Sequence, residues 1–188
     1  PSMLVGGFML AGAILSMWIS NSATCIMLTP IALSVAHAVL GENKFNSPFT
    51  YSLLLGIAYA CSVGGLGTPV GTPTNLIVIG YLNDAVGMDI SFGQWVAIGF
   101  PAVFIIVPMI WFILTKIVFK TPDTDLNSEN GRKLVKSELE TLGKISVPEK
   151  RTLYVFAAVA FLWCFRGVLK DVSLLGVTPF SGLTDAIT

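Results

Sequence analysis

Charge is what this sequence has least of. Charged residues make up 12% of its 188 positions, about half the roughly 25% usual for a soluble domain. Eleven basic and eleven acidic residues cancel, and no nucleic-acid partner is expected. Histidine occurs once, at His37. The three cysteines, Cys25, Cys61 and Cys164, lie within apolar segments without metal-ligand spacing. Their odd number argues against a complete disulfide framework, and they read as buried small residues. No phosphate loop is present, because Gly71 is followed by Thr72 rather than by a lysine. No Ser-His-Asp or His-Glu constellation falls within apolar sequence, which argues against an intramembrane hydrolase, and no enzyme is expected. The chain opens in mid-apolar sequence without an initiator Met or a visible signal peptide, and it reads as a fragment.

What fills the space is hydrophobic sequence, 54% of the chain with mean hydropathy +0.78. Several apolar runs reach transmembrane length, which implies an all-α polytopic membrane protein. A β-barrel would show short alternating segments instead. Two polar interruptions organise the runs. The first is Ser16-Met17-Trp18-Ile19-Ser20-Asn21-Ser22-Ala23-Thr24, between two uncharged arms, Met3 to Ile19 and Ala23 to Leu40. Hydropathy alone allows two readings, an extramembrane turn or a re-entrant hairpin. A polar cluster held in lipid is expensive and usually functional. The second interruption is Gly67-Thr68-Pro69-Val70-Gly71-Thr72-Pro73-Thr74-Asn75. Its prolines and glycines cannot continue a regular helix. Apolar sequence resumes at Leu76, but Leu76 to Leu82 is too short to span alone. Phe49 to Leu82 therefore reads as one span broken in its middle, which tips the first interruption toward the hairpin.

Further along, Phe92 to Phe119 reads as a full span, with Trp95 at the outer interface and Lys116 and Lys120 at the inner end. Arg151 to Val168 reads as the next span, with Arg166 snorkelling near its outer end. Between them, Gly131 to Leu142 has helical spacing suited to a membrane surface. Seven of the eleven Lys and Arg residues fall between Lys120 and Arg151. The positive-inside bias places that loop in the cytoplasm. His37 reads as an interfacial residue, and Pro30 as a kink in the second arm.

A hairpin turning inside the membrane ends in carbonyls on one arm and free N–H groups on the other. Hydroxyls and carbonyls of Ser16, Ser20 and Asn21 suit a hard cation, and Ser16 and Ser20, four apart, would share a helix face. N–H groups and side chains at Asn21 and Ser22 suit a carboxylate. The break around Gly71 offers further carbonyls. Discontinuous helices aimed at an ion and an anion suit a transporter. Selectivity filters use the same parts, so a channel stays open as an alternative.

The segments SMWISNSAT at 16–24 and GGLGTPVGTPTNLI at 64–77 resemble the divalent anion:sodium symporter family. The family's hairpin motif is Ser-Asn-Thr, and here Ser22 replaces the threonine and loses a methyl group. The resemblance implies a first sodium site at Ser16, Ser20, Asn21 and the Gly71 backbone. It implies substrate contacts at Asn21, Ser22 and Thr72. It also implies Na+-coupled transport of a dicarboxylate-type anion, a homodimer in the plasma (inner) membrane, and elevator-like movement of two inverted repeats. Residues 1–120 would form the hairpin, broken helix and long span of the first repeat. Residues 121–150 would be the cytoplasmic loop, and 151–188 the start of the second repeat. A sodium-independent dicarboxylate exchanger is the alternative within the class; an ion channel or structural membrane subunit is the alternative outside it.

Overall fold

The computed structural model describes residues 2–40, 46–120 and 146–170, with the side chains of 38 and 163–170 excepted. Among these residues every regular element is helical. The elements are α1 (Ser2–Ser16), α2 (Asn21–Leu40), α3 (Pro48–Gly64), a 3-10 turn (Gly65–Gly67), α4 (Pro73–Val86), α5 (Phe92–Phe112) and α6 (Val147–Lys170). The surface-helix expectation for Gly131 to Leu142 lies outside the described residues, as do the side chains of Cys164 and Arg166.

The core is a seam between α1 and α3. On α1 the buried residues Val5, Met9, Gly12, Ala13 and Ser16 recur every three or four positions. On α3 Leu53, Gly56, Ile57, Ala60, Cys61 and Gly64 do the same. One stripe per helix therefore faces the partner. Small residues set the separation. A Cβ at Gly64 would collide with the Ala13 backbone, and one at Gly56 would sit 3.0 Å from Met9. Helix α2 adds Leu28, Ala32 and Ala36 to the same core and runs on through Pro30. His37 is exposed in its last turn.

The ends of the helices follow local chemistry. Ser47 caps α3, accepting from the Phe49 N–H at 3.3 Å, with Pro48 in the first turn. Helix α4 ends at Gly87, whose φ of 70° is the left-handed conformation favoured by glycine. It thus runs four residues past the expected Leu82. At 14 residues, or about 21 Å, it still falls short of a bilayer core of roughly 30 Å. Ser146 and Glu149 form a reciprocal cap on α6, and the Ser146 N–H holds the Glu149 carboxyl below its ordinary value.

Among the described residues two helices are long and apolar enough to cross a membrane, Pro48–Gly67 and Phe92–Val118. The second combines α5 with a π-helical end, Ile113–Val118, closed by the Phe119 N–H on Leu114 O at 3.0 Å. Helix α5 lies against both α1 and the break in the α3–α4 span. At one end Trp111 Nε1 donates to Ser2 O at 2.7 Å, and near the other Trp95 Nε1 donates to Leu66 O at 3.0 Å. Trp95, half-buried, thus ties α5 to the break.

Candidate functional site

The first interruption is a tight turn, residues 17–20, between antiparallel arms. Helix α1 ends at Ser16, because Trp18 and Ile19 both turn back onto Leu15 O. Ser20 is thus outside the helix, and the expected shared face of Ser16 and Ser20 does not form. Ser20 instead caps α2: its Oγ accepts from the Ala23 N–H at 3.3 Å and its carbonyl from the Thr24 N–H at 3.0 Å.

Ser16 is fully buried and points the other way. Its Oγ lies 2.5 Å from Asn21 Oδ1 and 2.6 Å from Cys61 O. A hydroxyl carries one proton, so it satisfies only one of these acceptors at a time. Three oxygens from α1, α2 and α3 thus converge around this hydroxyl, and Cys61 O also accepts from the Gly65 N–H that closes α3. Backbone presses against the cluster on one side, since a Cβ on Gly65 would collide with Asn21 Oδ1.

The second interruption is built differently. Thr68 Oγ1 donates to Met17 O, fastening the break to the hairpin turn, and accepts from the Gly71 N–H at 3.1 Å. Asn75, 3% exposed, donates both amide hydrogens, to Gly65 O at 2.8 Å and to Thr68 O at 2.7 Å. Gly71 is buried with its backbone against Gly65; a Cβ there would lie 2.5 Å from Gly65 O. The order of contact is therefore Asn21, Gly65, Gly71.

Of the sequence-derived candidates, Ser16 and Asn21 meet directly and Gly71 backs them through Gly65. Ser20 caps α2 and does not share a helix face with Ser16. Ser22 is exposed in the first turn of α2, where N–H groups lack a carbonyl one turn back. Thr72, half-buried, precedes the first turn of α4 in extended backbone and makes no side-chain cap bond. Four participants escaped the sequence reading: Cys61 through its carbonyl, Gly65, Thr68 and Asn75. The motif containing Asn75 was visible, but the carbonyls its amide reaches depend on the fold. A carbonyl contribution carries no residue-type signal at all.

The comparisons with known proteins agree with this architecture. The citrate transporter family model matches residues 1–188. A sodium-dependent dicarboxylate transporter of Staphylococcus saprophyticus is 37% identical over 169 residues, covering 87% of this chain and 32% of that protein. Another of that name from Staphylococcus aureus (strain USA300) is 34% identical over 174 residues, 89% of this chain and 33% of the relative. The chain thus spans about one third of the length of the curated relatives it matches. With the family model matched from end to end and the paired helix breaks in place, the chain belongs to the citrate transporter family.

Proposed function

We propose that this chain is the first repeat, and the start of the second, of a sodium-coupled dicarboxylate transporter, with one sodium site at Ser16, Asn21 and Cys61 O. The observation that carries the reading is the convergence of Ser16 Oγ, Asn21 Oδ1 and Cys61 O from three helices at one point. Oxygen ligands of this kind suit a hard cation. The Gly71 backbone, packed on Gly65 beside Asn21, completes the set. Ser20 contributes by capping α2, which fixes the direction in which Asn21 is presented.

Asn21 also gives the site a way to stand empty. Turning its carboxamide over replaces Oδ1 with an NH2 donor, which can donate to Ser16 Oγ while Ser16 donates to Cys61 O. Ser16 Oγ and Cys61 O are then satisfied without an ion. Sodium binding selects the oxygen-inward orientation, and the amide moves to the outer side, beside the first turn of α2. A substrate carboxylate would meet that amide, Ser22 and the unpaired N–H groups there, with Thr72 on the second break. Ion and anion thereby favour the same orientation of one side chain.

The substrate reading follows the names of the relatives, which are called sodium-dependent dicarboxylate transporters. The hairpin is re-entrant in this reading, the protein is a homodimer working as an elevator, and the loop from Lys120 to Arg151 faces the cytoplasm of a plasma membrane. Full-length protein in proteoliposomes tests it. Succinate uptake should require an inward sodium gradient and vanish with choline. Succinate–succinate exchange at full rate without sodium would replace symport by exchange, and uptake of neither kind would remove the dicarboxylate assignment.

A further inference from the structure

The hairpin turn carries a tryptophan to which the transport reading gives no task. Trp18 lies within the turn, between the two ligand residues Ser16 and Asn21. Its indole, half-buried, meets rings from two later helices. The Phe92 ring, at the start of α5, stacks with it at a centroid distance of 6.4 Å and an interplanar angle of 28°. The Phe156 ring of α6 meets it edge-to-face, at 5.0 Å and 76°. Both separations fall in the range in which aromatic pairs attract, about 4.5–7 Å. A tryptophan that only anchored a turn at a membrane surface would set its ring among lipid headgroups rather than against two helices. Next to it in the chain, the Met17 carbonyl accepts from Thr68 Oγ1. The turn is thus tied to the second break by a hydrogen bond, and to α5 and α6 by rings.

We propose that Trp18 is a positioning residue for the ion site, through which Phe92 of α5 and Phe156 of α6 hold the hairpin turn and set the site's affinity for sodium. Ser16 closes α1 and Asn21 opens α2, so the turn between them fixes the separation of these two ligands. A binding constellation works only while its members keep their places to within about 0.5 Å. A stacked or edge-to-face pair adds about 2- to 10-fold to an equilibrium beyond the area it buries. Two such pairs on one side chain therefore suffice to shift the occupancy of the site. The inference rests on the proposed function for its ion. In that reading α6 begins the second repeat, so the Trp18–Phe156 contact is a point at which the second repeat reaches the ion site of the first. A displacement of α6 then weakens sodium binding without touching a ligand.

The test is a sodium titration of succinate uptake by the full-length protein in proteoliposomes, with melting temperatures taken in detergent with and without sodium. Trp18→Ala should raise the sodium concentration for half-maximal uptake by about 2- to 10-fold, with the maximal rate at saturating sodium kept. Trp18→Phe, which retains a ring, should recover most of that loss. Phe156→Leu keeps an apolar side chain on an exposed face of α6 and should raise the half-saturation less. Trp18→Ala combined with Phe156→Leu should be no worse than Trp18→Ala alone, because the contact is already gone. Wild-type half-saturation in Phe156→Leu, or single effects that multiply in the double variant, overturns the proposal and leaves Trp18 an apolar anchor of the turn. Phe156→Leu decides the matter by itself if Trp18→Ala does not fold. A wild-type protein whose uptake and melting temperature both ignore sodium removes the ion site of the proposed function, and this inference with it. A sodium response that all the variants share overturns the inference alone.

Discussion

The two interruptions in this chain look alike in sequence and are opposite in structure. Both are polar stretches between apolar helices. The break at 65–75 satisfies itself: Asn75 places one hydrogen on each of two carbonyls, and Thr68 donates and accepts once. The turn at 16–21 instead gathers Ser16 Oγ, Asn21 Oδ1 and Cys61 O, from three helices, around one hydroxyl proton, with Cys61 O also accepting from the Gly65 N–H. An irregular backbone in an apolar setting must close its own hydrogen bonds or line a cavity. The second break takes the first course and acts as a strut. The first brings oxygens of three helices to one point, which the proposed function reads as an ion site.

This contrast predicts that stability and ion response separate by location. The largest effect on stability is expected for Asn75→Ala, which strips an amide hydrogen from Gly65 O and another from Thr68 O. Each carbonyl left short costs about 1–3 kcal/mol; Thr68 O retains the Gly71 N–H. The melting temperature of the full-length protein in detergent should drop by several degrees. An unchanged value would mean that the break is not a strut. Gly71→Ala comes next, because its methyl group meets the Gly65 backbone rather than a movable side chain. Overpacking of this kind costs about 1–3 kcal/mol, again read as melting temperature.

Asn21→Ala should invert the pattern. The cap of α2 belongs to Ser20, and Ser16 keeps Cys61 O as an acceptor, so the melting temperature should hold. Loss of one polar contact in a desolvated site is worth roughly 1–3 kcal/mol, about 5- to 150-fold in affinity. Sodium titration of succinate uptake should show that shift, and a wild-type curve would deny Asn21 its role in the site. Ser22→Thr should do least. Ser22 is exposed and carries a hydroxyl either way, so uptake should persist with at most an altered preference among dicarboxylates. Inactivation by Ser22→Thr alone would move the site away from the tip of α2.

The two breaks also show what the sequence carries and what it withholds. Ser16 and Asn21 stood out because a hydroxyl and an amide between uncharged arms have few other uses. The end of α4 was read short, at Leu82, whereas the helix runs to Val86 and closes on Gly87 in the left-handed conformation. Ser20 was misread because spacing by four implies a common face only while the helix continues, and α1 stops at Ser16. Trp95 looked like an interface anchor by residue type; its partner, Leu66 O, exists only once α5 crosses the break. The carbonyl of Cys61 could not be foreseen, since every residue has one. The π-helical end of α5 likewise leaves no mark in Ile113 to Val118 that distinguishes it from ordinary helix.

The cluster at the hairpin turn contains a hydroxyl, a carboxamide and a carbonyl, with glycine backbone behind it. None of these groups titrates between about pH 5 and 8. Acid therefore cannot fill this site in place of a metal ion, as it would at a carboxylate. Protonation in that interval alters only the dicarboxylate, never the ion's ligands. For the proposed transporter, half-saturation by sodium at this site should stay level across the interval. Any acid dependence of uptake would then report the ionic form of the substrate that is carried.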